Sequence, residues 1–248
     1  MKTLFSAIVL TAGLAGAATS AQAQKSVSFG PRVGVNLSNI VLTGTDTGDV
    51  KPKSIFGAQV GVTADIQFGS FAFQPSLLFT QKGFKVTESG SESFGGVTAT
   101  YSSERTLHIN YVEMPLNFVY TTGGDHGFQV LAGPYLALGV GGNSPYKTDV
   151  VIPGYLDEHE SGTGSIKFSD REPDNSNSGS NNNDITLRRF DGGVNLGVGY
   201  RQGPVQVQVA YAFGFGNIIP LDSDGKESGY KAQNRVFQVS ANYFFGAK

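Results

Sequence analysis

Acid–base or nucleophilic chemistry in this chain would have to start from three imidazoles. His108, His126 and His159 are the histidines of 248 residues that include no cysteine. Thiolate zinc sites, iron–sulfur clusters, disulfides and cysteine nucleophiles are therefore excluded. A hydrolase acting on lipid or peptide needs a nucleophile, a base and an orienting acid brought together. His108, with Ser102, Ser103 and Glu104 close in sequence, is the candidate base. His126 falls in a short Gly-containing turn, and His159 stands between Glu158 and Glu160 in a polar stretch. Neighbours along a strand alternate faces, so closeness in sequence does not bring these groups together. A strand-end histidine without chemistry is the commoner arrangement, and no catalytic residue is assigned.

Two other motifs fall short of a ligand site. Asp222-Ser-Asp224-Gly225 has the opening of a calcium loop but lacks the later ligand positions and the bidentate Glu. Gly197-Val-Gly199-Tyr-Arg-Gln-Gly203 has the wrong spacing for a nucleotide loop, and no helix follows it. Neither metal nor cofactor is expected. A formal net charge of −2 gives no basic footprint, so nucleic acid is not an expected partner. One further set of residues is conspicuous by position. Arg32, Asp65, Lys82, Glu113, Asp191 and Arg201, with Arg189 close by, are ionisable groups inside largely apolar segments.

What those charges do depends on the elements that hold them. Charged residues make up 15% of the chain, against roughly 25% in soluble domains. Glycine, at 34 residues, is about twice its usual ~7% share. Residues 1–23 carry a basic start at Lys2, an apolar stretch over 4–18 and an Ala21-Gln22-Ala23 exit, the pattern of a cleaved export signal. The mature chain is then 24–248, exported and read as one domain. No later apolar run is long enough for a transmembrane helix.

The mature chain alternates with period two, as strands do. Phe56, Ala58, Val60, Val62, Ala64, Ile66 and Phe68 oppose Gly57, Gln59, Gly61, Thr63, Asp65 and Gln67. The same split recurs over 190–200, 205–215 and 237–245. Eight segments are expected, at roughly 26–39, 54–68, 71–86, 105–120, 127–141, 186–201, 204–217 and 234–245. Each supplies the 9–11 tilted residues that cross a bilayer, as roughly required. The apolar phase of 105–120 shifts from Leu107, Ile109 and Tyr111 to Val112, Met114, Leu116 and Phe118, which predicts a bulge near Tyr111. Pro115 should lie where no ladder donor is needed or beside that bulge.

The connections alternate strictly between long (40–53, 87–104, 142–185, 218–233) and short (69–70, 121–126, 202–203). That is the signature of an all-β, eight-stranded antiparallel transmembrane up-and-down β-barrel with short periplasmic turns and long extracellular loops. A soluble lipocalin-like barrel shares the strand number but turns its apolar face inward. Gly, Ser and Gln crowd the polar face here, as in a narrow filled lumen. Aromatics gather near strand ends at Phe68, Phe71, Phe79, Tyr120, Tyr200, Tyr211, Tyr243 and Phe245, as interfacial girdles do.

GPRVGVNLSNI (30–40), QPSLLFTQKGFK (74–85), INYVEMPLNFVY (109–120), LAGPYLALGVGG (131–142), FDGGVNLGVGYR (190–201) and AYAFGFGNI (210–218) resemble the PorT-like outer-membrane β-barrel family. The resemblance spans nearly the whole mature chain. It implies a signal peptide plus one barrel in the cell outer membrane, and a non-enzymatic accessory or structural part in protein secretion or envelope assembly. Outer-membrane lipid and envelope or secretion proteins are the partners it implies; it leaves the oligomeric state open.

On the barrel reading, Arg32, Asp65, Lys82, Glu113, Asp191 and Arg201 face the lumen, where they should pair with one another. A neutralising plug is favoured over a pore, because eight strands leave an interior just wide enough for side chains. The 142–185 connection carries eight carboxylates against three bases and includes the Ser/Asn-rich run 174–184, which reads as low-complexity loop. An alternative function follows from it: surface ligand binding or adhesion through long acidic loops. A lipid-modifying enzyme centred on His108 is the least favoured reading.

Overall fold

A computed structural model describes residues 26–44, 51–172 and 183–246. The expected signal segment 1–23 and residues 174–182 of the Ser/Asn-rich run lie outside the described residues. Ten strands are present: β1 (Ser26–Gly44), β2 (Lys53–Phe68), β3 (Phe71–Phe94), β4 (Val97–Thr121), β5 (His126–Ile152), β6 (Leu156–Phe168), β7 (Ile185–Leu187), β8 (Phe190–Gln202), β9 (Val205–Gly214) and β10 (Tyr230–Tyr243). Strands β1 to β5 and β8 to β10 pair antiparallel in a closed ring, completed by β1 with β10. The expected eight-stranded barrel is thus the observed one. Strand β6 adds to the far end of β5, and β7 runs parallel to β6.

The ring has unlike ends. At one end the strands are joined by the tight connections 69–70, 122–125 and 203–204. Both ends of the barrel sequence lie there too, with Ser26 opposite Gln67 and Phe29 bridged to Phe245.

Alternation sorts the residues in the sense opposite to a soluble barrel. Outward positions over 29–37, 56–68, 71–79, 112–120, 128–140, 190–200, 205–213 and 237–243 are all apolar, Tyr, Pro or Gly. Phe56, Phe128 and Phe190 are 70–76% exposed, which only a lipid environment makes favourable. Inward positions on the same strands are Gln59, Thr63, Asp65, Gln74, Asn117, Gln129, Gln206 and Gln208, all buried. Just above the apolar band the outward side chains turn polar at Asn39, Gln81, Asn110, Asn143 and Arg235. Gln81 donates to Asn110 across 3.2 Å. This collar marks the upper edge of the membrane.

Two sequence expectations are corrected here. The bulge lies at the level of Tyr111 but in the facing strand: Asn110 pairs with Gly141 and Tyr111 with Gly139, so Val140 of β5 is the extra residue. Leu107, Ile109 and Tyr111 are no change of phase, because they continue the inward series that includes Glu113. They are apolar because the interior itself becomes apolar at that height. Pro115 fits its neighbours: β3–β4 pairs run to Pro75–Leu116 and resume at Leu78–Glu113, and Pro115 sits in the gap.

The second correction concerns the long connections. Residues 87–104 and most of the first half of 142–185 are strand rather than irregular loop. Strands β3, β4 and β5 are 24, 25 and 27 residues long, well beyond the ~9–11 that a bilayer requires. With β6 they continue past the collar as a four-stranded antiparallel sheet. The β3–β4 hairpin closes on Gly95-Gly96, with φ of 59° and 86°. Two left-handed residues in succession make the type I′ turn whose twist matches its strands, and glycine takes that conformation without cost.

Candidate functional site

Two regions hold the polar groups available for function: the barrel interior and the projecting sheet. The interior is built in three layers. Near the tight-turn end, Arg201 Nη1 lies 2.6 Å from Asp65 Oδ2, and Arg201 Nε donates to the Gly203 carbonyl at 3.0 Å. Gln74 donates to the other oxygen of Asp65 at 2.9 Å. Amides extend the network: Asn242 to Gln206 at 3.0 Å, Gln206 to Gln129 at 2.8 Å and Gln129 to Thr121 at 2.9 Å. These side chains project inward because each occupies the inward parity of its strand.

The middle layer centres on Lys82, whose ammonium is 2.7 Å from Glu113 Oε2 and 3.3 Å from Asp191 Oδ2. It lies over the Tyr135 ring, 4.4 Å from the centroid. Asp191 also accepts from Tyr135 Oη at 3.2 Å and from Asn234 Nδ2 at 2.9 Å. Arg32 is buried within the field of Glu113. Three cations thus face three carboxylates inside the barrel. Burying each of these ions alone would cost several kcal/mol, roughly, so mutual pairing is what permits them there.

Above them is an apolar roof. Ile40, Phe84, Leu107, Ile109 and Val236 of the wall pack against Ile166, Leu187 and Ile218, which come from β6, β7 and the chain after β9. Backbone bonds stitch the roof together: Arg188 N–H to the Ile218 carbonyl at 2.9 Å, and Ile218 N–H to the Ala232 carbonyl at 3.0 Å.

Six of the seven charges singled out in the sequence are therefore buried inside the barrel. Arg189 is the exception and a correction. It is exposed, and its carbonyl accepts from Gly139 N–H at 2.7 Å. Strand β8 begins only at Phe190, so its alternation does not reach back to Arg189. His108 points outward from β4, opposite Gly83 and Asn143. Its Nδ1 has no hydrogen-bond partner, and Glu104 is committed to Lys85 at 2.6 Å. The group assembled around His108 in sequence is thus not a triad in space. Asp222 closes a tight turn, its carboxylate accepting from Lys226 N–H at 2.7 Å.

On the projecting sheet, His159 of β6 bridges two carboxylates. Nδ1 is 2.5 Å from Asp149 and Nε2 is 3.1 Å from Asp157. The hydrogen bond to Asp149, with the charges of Asp157 and Asp149, raises the His159 pKa above its ordinary value. At the opposite end, a hydrogen bond from the His126 ring holds Asp125 below the usual carboxylate range.

Sequence reasoning missed the roof and the sheet. The roof draws on residues far apart in sequence, and nothing local marks them as partners. The sheet left a signal that could have been read: Gly95-Gly96 between alternating Ser/Thr positions is a hairpin pattern.

Comparison with known proteins adds a family. The family model described as outer membrane protein beta-barrel domain matches residues 21–220. No curated protein matches the chain. Among solved structures, Neisserial surface protein A (NspA) is similar at TM-score 0.36 and 13% identity, covering 89% of this chain and 99% of its own. The attachment invasion locus protein Ail of Yersinia pestis, in complex with the heparin analogue sucrose octasulfate, is similar at TM-score 0.33 and 10% identity, with the same coverage.

Proposed function

Since the chain belongs to the outer membrane protein beta-barrel domain family, we propose that its barrel is a closed, non-enzymatic anchor in the outer membrane that displays a binding sheet at the cell surface. The observation that carries this reading is the continuation of four strands beyond the membrane collar as one sheet, above an interior filled with paired side chains. A conducting pore would need open cross-section, whereas the ion pairs and the roof occupy it. An enzyme would need converging groups, whereas His108 turns away from the lumen. The leader at 1–23 fits the export route that such a barrel requires.

The β5–β6 hairpin carries Asp149, Asp157, Glu158 and Glu160, so its partner should be cationic. The test shortens the hairpin and leaves the roof intact. Residues 146–162 are replaced by Asn-Gly, which rejoins the cross-strand pair Pro145–Thr163 and retains Ile166. Cells bearing the full chain should adhere to a polylysine-coated surface more than to a dextran-coated one. The shortened chain should lose that preference while keeping the heat-modifiable gel mobility of a folded barrel. Equal adhesion by both would overturn display by this hairpin.

The second reading is an accessory role in secretion or envelope assembly. The strand-by-strand PorT-like resemblance favours it. A strain lacking the chain should then show a changed set of secreted proteins, and the hairpin-shortened form should restore it.

A further inference from the structure

The outward face of the projecting sheet differs from everything below it. Cross-strand register places Thr87 beside Glu104, Lys147 and Ser161 in one row, and Ser89 beside Ser102, Asp149 and His159 in the next. On the β3–β4 hairpin, the outward positions Thr87, Ser89, Ser91, Ser93, Thr98, Thr100 and Ser102 are all hydroxyls. Ser93 and Thr98 are 2.8 Å apart on this face. Strands lie about 4.8 Å apart, so these hydroxyls form a flat grid of donors and acceptors. At its base is a depression of about 340 Å³ lined by Glu104, Thr106, Pro145, Lys147, Ser161 and Thr163. That volume is within the range of small-molecule sites, roughly 300–1,000 Å³.

This face continues the lipid-facing wall. The same outward parity on β3 and β4 carries Phe79 and Val112 within the membrane and Gln81 and Asn110 at the collar. Thr106 and Glu104 are four and six residues above Asn110. At about 3.4 Å per residue and a tilt near 40°, the depression stands about 10–15 Å above the collar. That is beyond the headgroup phosphates and level with the sugars of an outer-leaflet glycolipid. The local charges point the same way. Lys85 is neutralised by Glu104 at 2.6 Å, and Lys147 lies directly across from Glu104. Lys53 of β2 stands across from Lys85 in the row of Thr106, while the depression's own lining holds a single ammonium, Lys147. Hydroxyls with one paired acid, one ammonium and a proline ring suit a neutral polyol, whose C–H face can rest on Pro145.

We infer that the outward base of the projecting sheet binds the oligosaccharide of the outer membrane's own glycolipid. This goes beyond the display reading, because it concerns the base of the sheet and holds whatever the hairpin tip binds.

The full mature protein would be placed in nanodiscs of three kinds: phospholipid alone, phospholipid with a glycolipid bearing core sugars, and phospholipid with the same lipid stripped to lipid A. Backbone hydrogen exchange over 98–106 and 161–165 is the readout. Exchange should slow about tenfold with the sugar-bearing lipid only. Thr106→Val with Thr163→Val keeps strand shape and should abolish the slowing, while Thr106→Ser with Thr163→Ser should retain it. Unchanged exchange over 29–37 shows that the barrel is intact. Equal slowing by lipid A would assign the effect to headgroup phosphate and overturn the inference. So would full slowing in the valine variant, or no slowing in any disc.

Discussion

Strands β3, β4 and β5 each pass through two solvents, and their lower and upper halves can be compared within one continuous pleat. Below the collar, the outward residues of β4 are Tyr120, Phe118, Leu116, Met114 and Val112, while Asn117 and Glu113 point in. Above it, the outward residues are His108, Thr106, Glu104, Ser102, Thr100 and Thr98. The β3–β4 register is the same in both halves, from Phe71–Tyr120 to Phe94–Val97. Only the surroundings change. Alternation therefore reports that a strand has two unlike sides, and the chemistry of the outward side reports what that side touches.

The largest expected effect breaks the lower half from inside. Lys82→Met removes the cation paired with Asp191 and leaves Glu113 with Arg32 alone, and uncompensated buried charge is costly. Urea unfolding in bilayers should show a loss of about 3–5 kcal/mol. Adding Glu113→Gln restores charge balance and should recover most of the loss. A single variant as stable as the parent would mean that water, rather than pairing, carries these charges.

A second pair of substitutions tests the comparison directly on one strand. Leu116 and Thr100 are both outward residues of β4. Leu116→Arg puts a charge near the middle of the lipid-facing band and should cost about 2–4 kcal/mol. Thr100→Arg puts the same charge in water and should change stability by less than ~0.5 kcal/mol. Equal losses would place the membrane boundary above the collar.

Most of the barrel was legible in the sequence because its residues act through local period two: Phe56 to Phe68 shows both faces within thirteen residues. The lumen charges were legible for the same reason, since Arg32, Asp65, Lys82, Glu113, Asp191 and Arg201 interrupt such runs. Their pairing was not. Lys82 meets Asp191 and Arg201 meets Asp65 across the closed ring, at separations of 109 and 136 residues. The roof was hidden likewise, because Ile166, Leu187 and Ile218 gain meaning only when Leu107 and Ile109 are seen to face them. That contact also explains why Leu107 to Tyr111 mimicked a phase shift. The sheet was misread because hydroxyl alternation carries no hydrophobic contrast, and polar residues in sequence look alike whether the backbone is paired or not.

Smaller effects separate the sheet from the barrel. Gly95→Ala forces a side chain onto a residue with φ of 59°, costing about 1–2 kcal/mol locally. Hydrogen exchange over 87–104 should quicken several-fold, while exchange over 112–120 stays as it was. If both segments quicken together, the sheet and the barrel are one cooperative unit rather than two.

The smallest effect is a pH dependence confined to the β5–β6 hairpin. Protonated His159 is held by Asp149 and Asp157, so its folded-state pKa is above the unfolded value of 6.5. The stabilising contribution is therefore complete below pH 6.5 and is lost as pH rises through the higher folded value. All three side chains are at least half exposed, so screening keeps the effect modest. After correction for intrinsic rates, exchange over 146–162 should be slower at pH 5.5 than at pH 8.5, and His159→Gln should flatten the difference. The barrel segment 128–138 carries no such histidine and should show no matching change. A pH response of equal size there would trace the effect to the membrane or the lumen charges instead of this clamp.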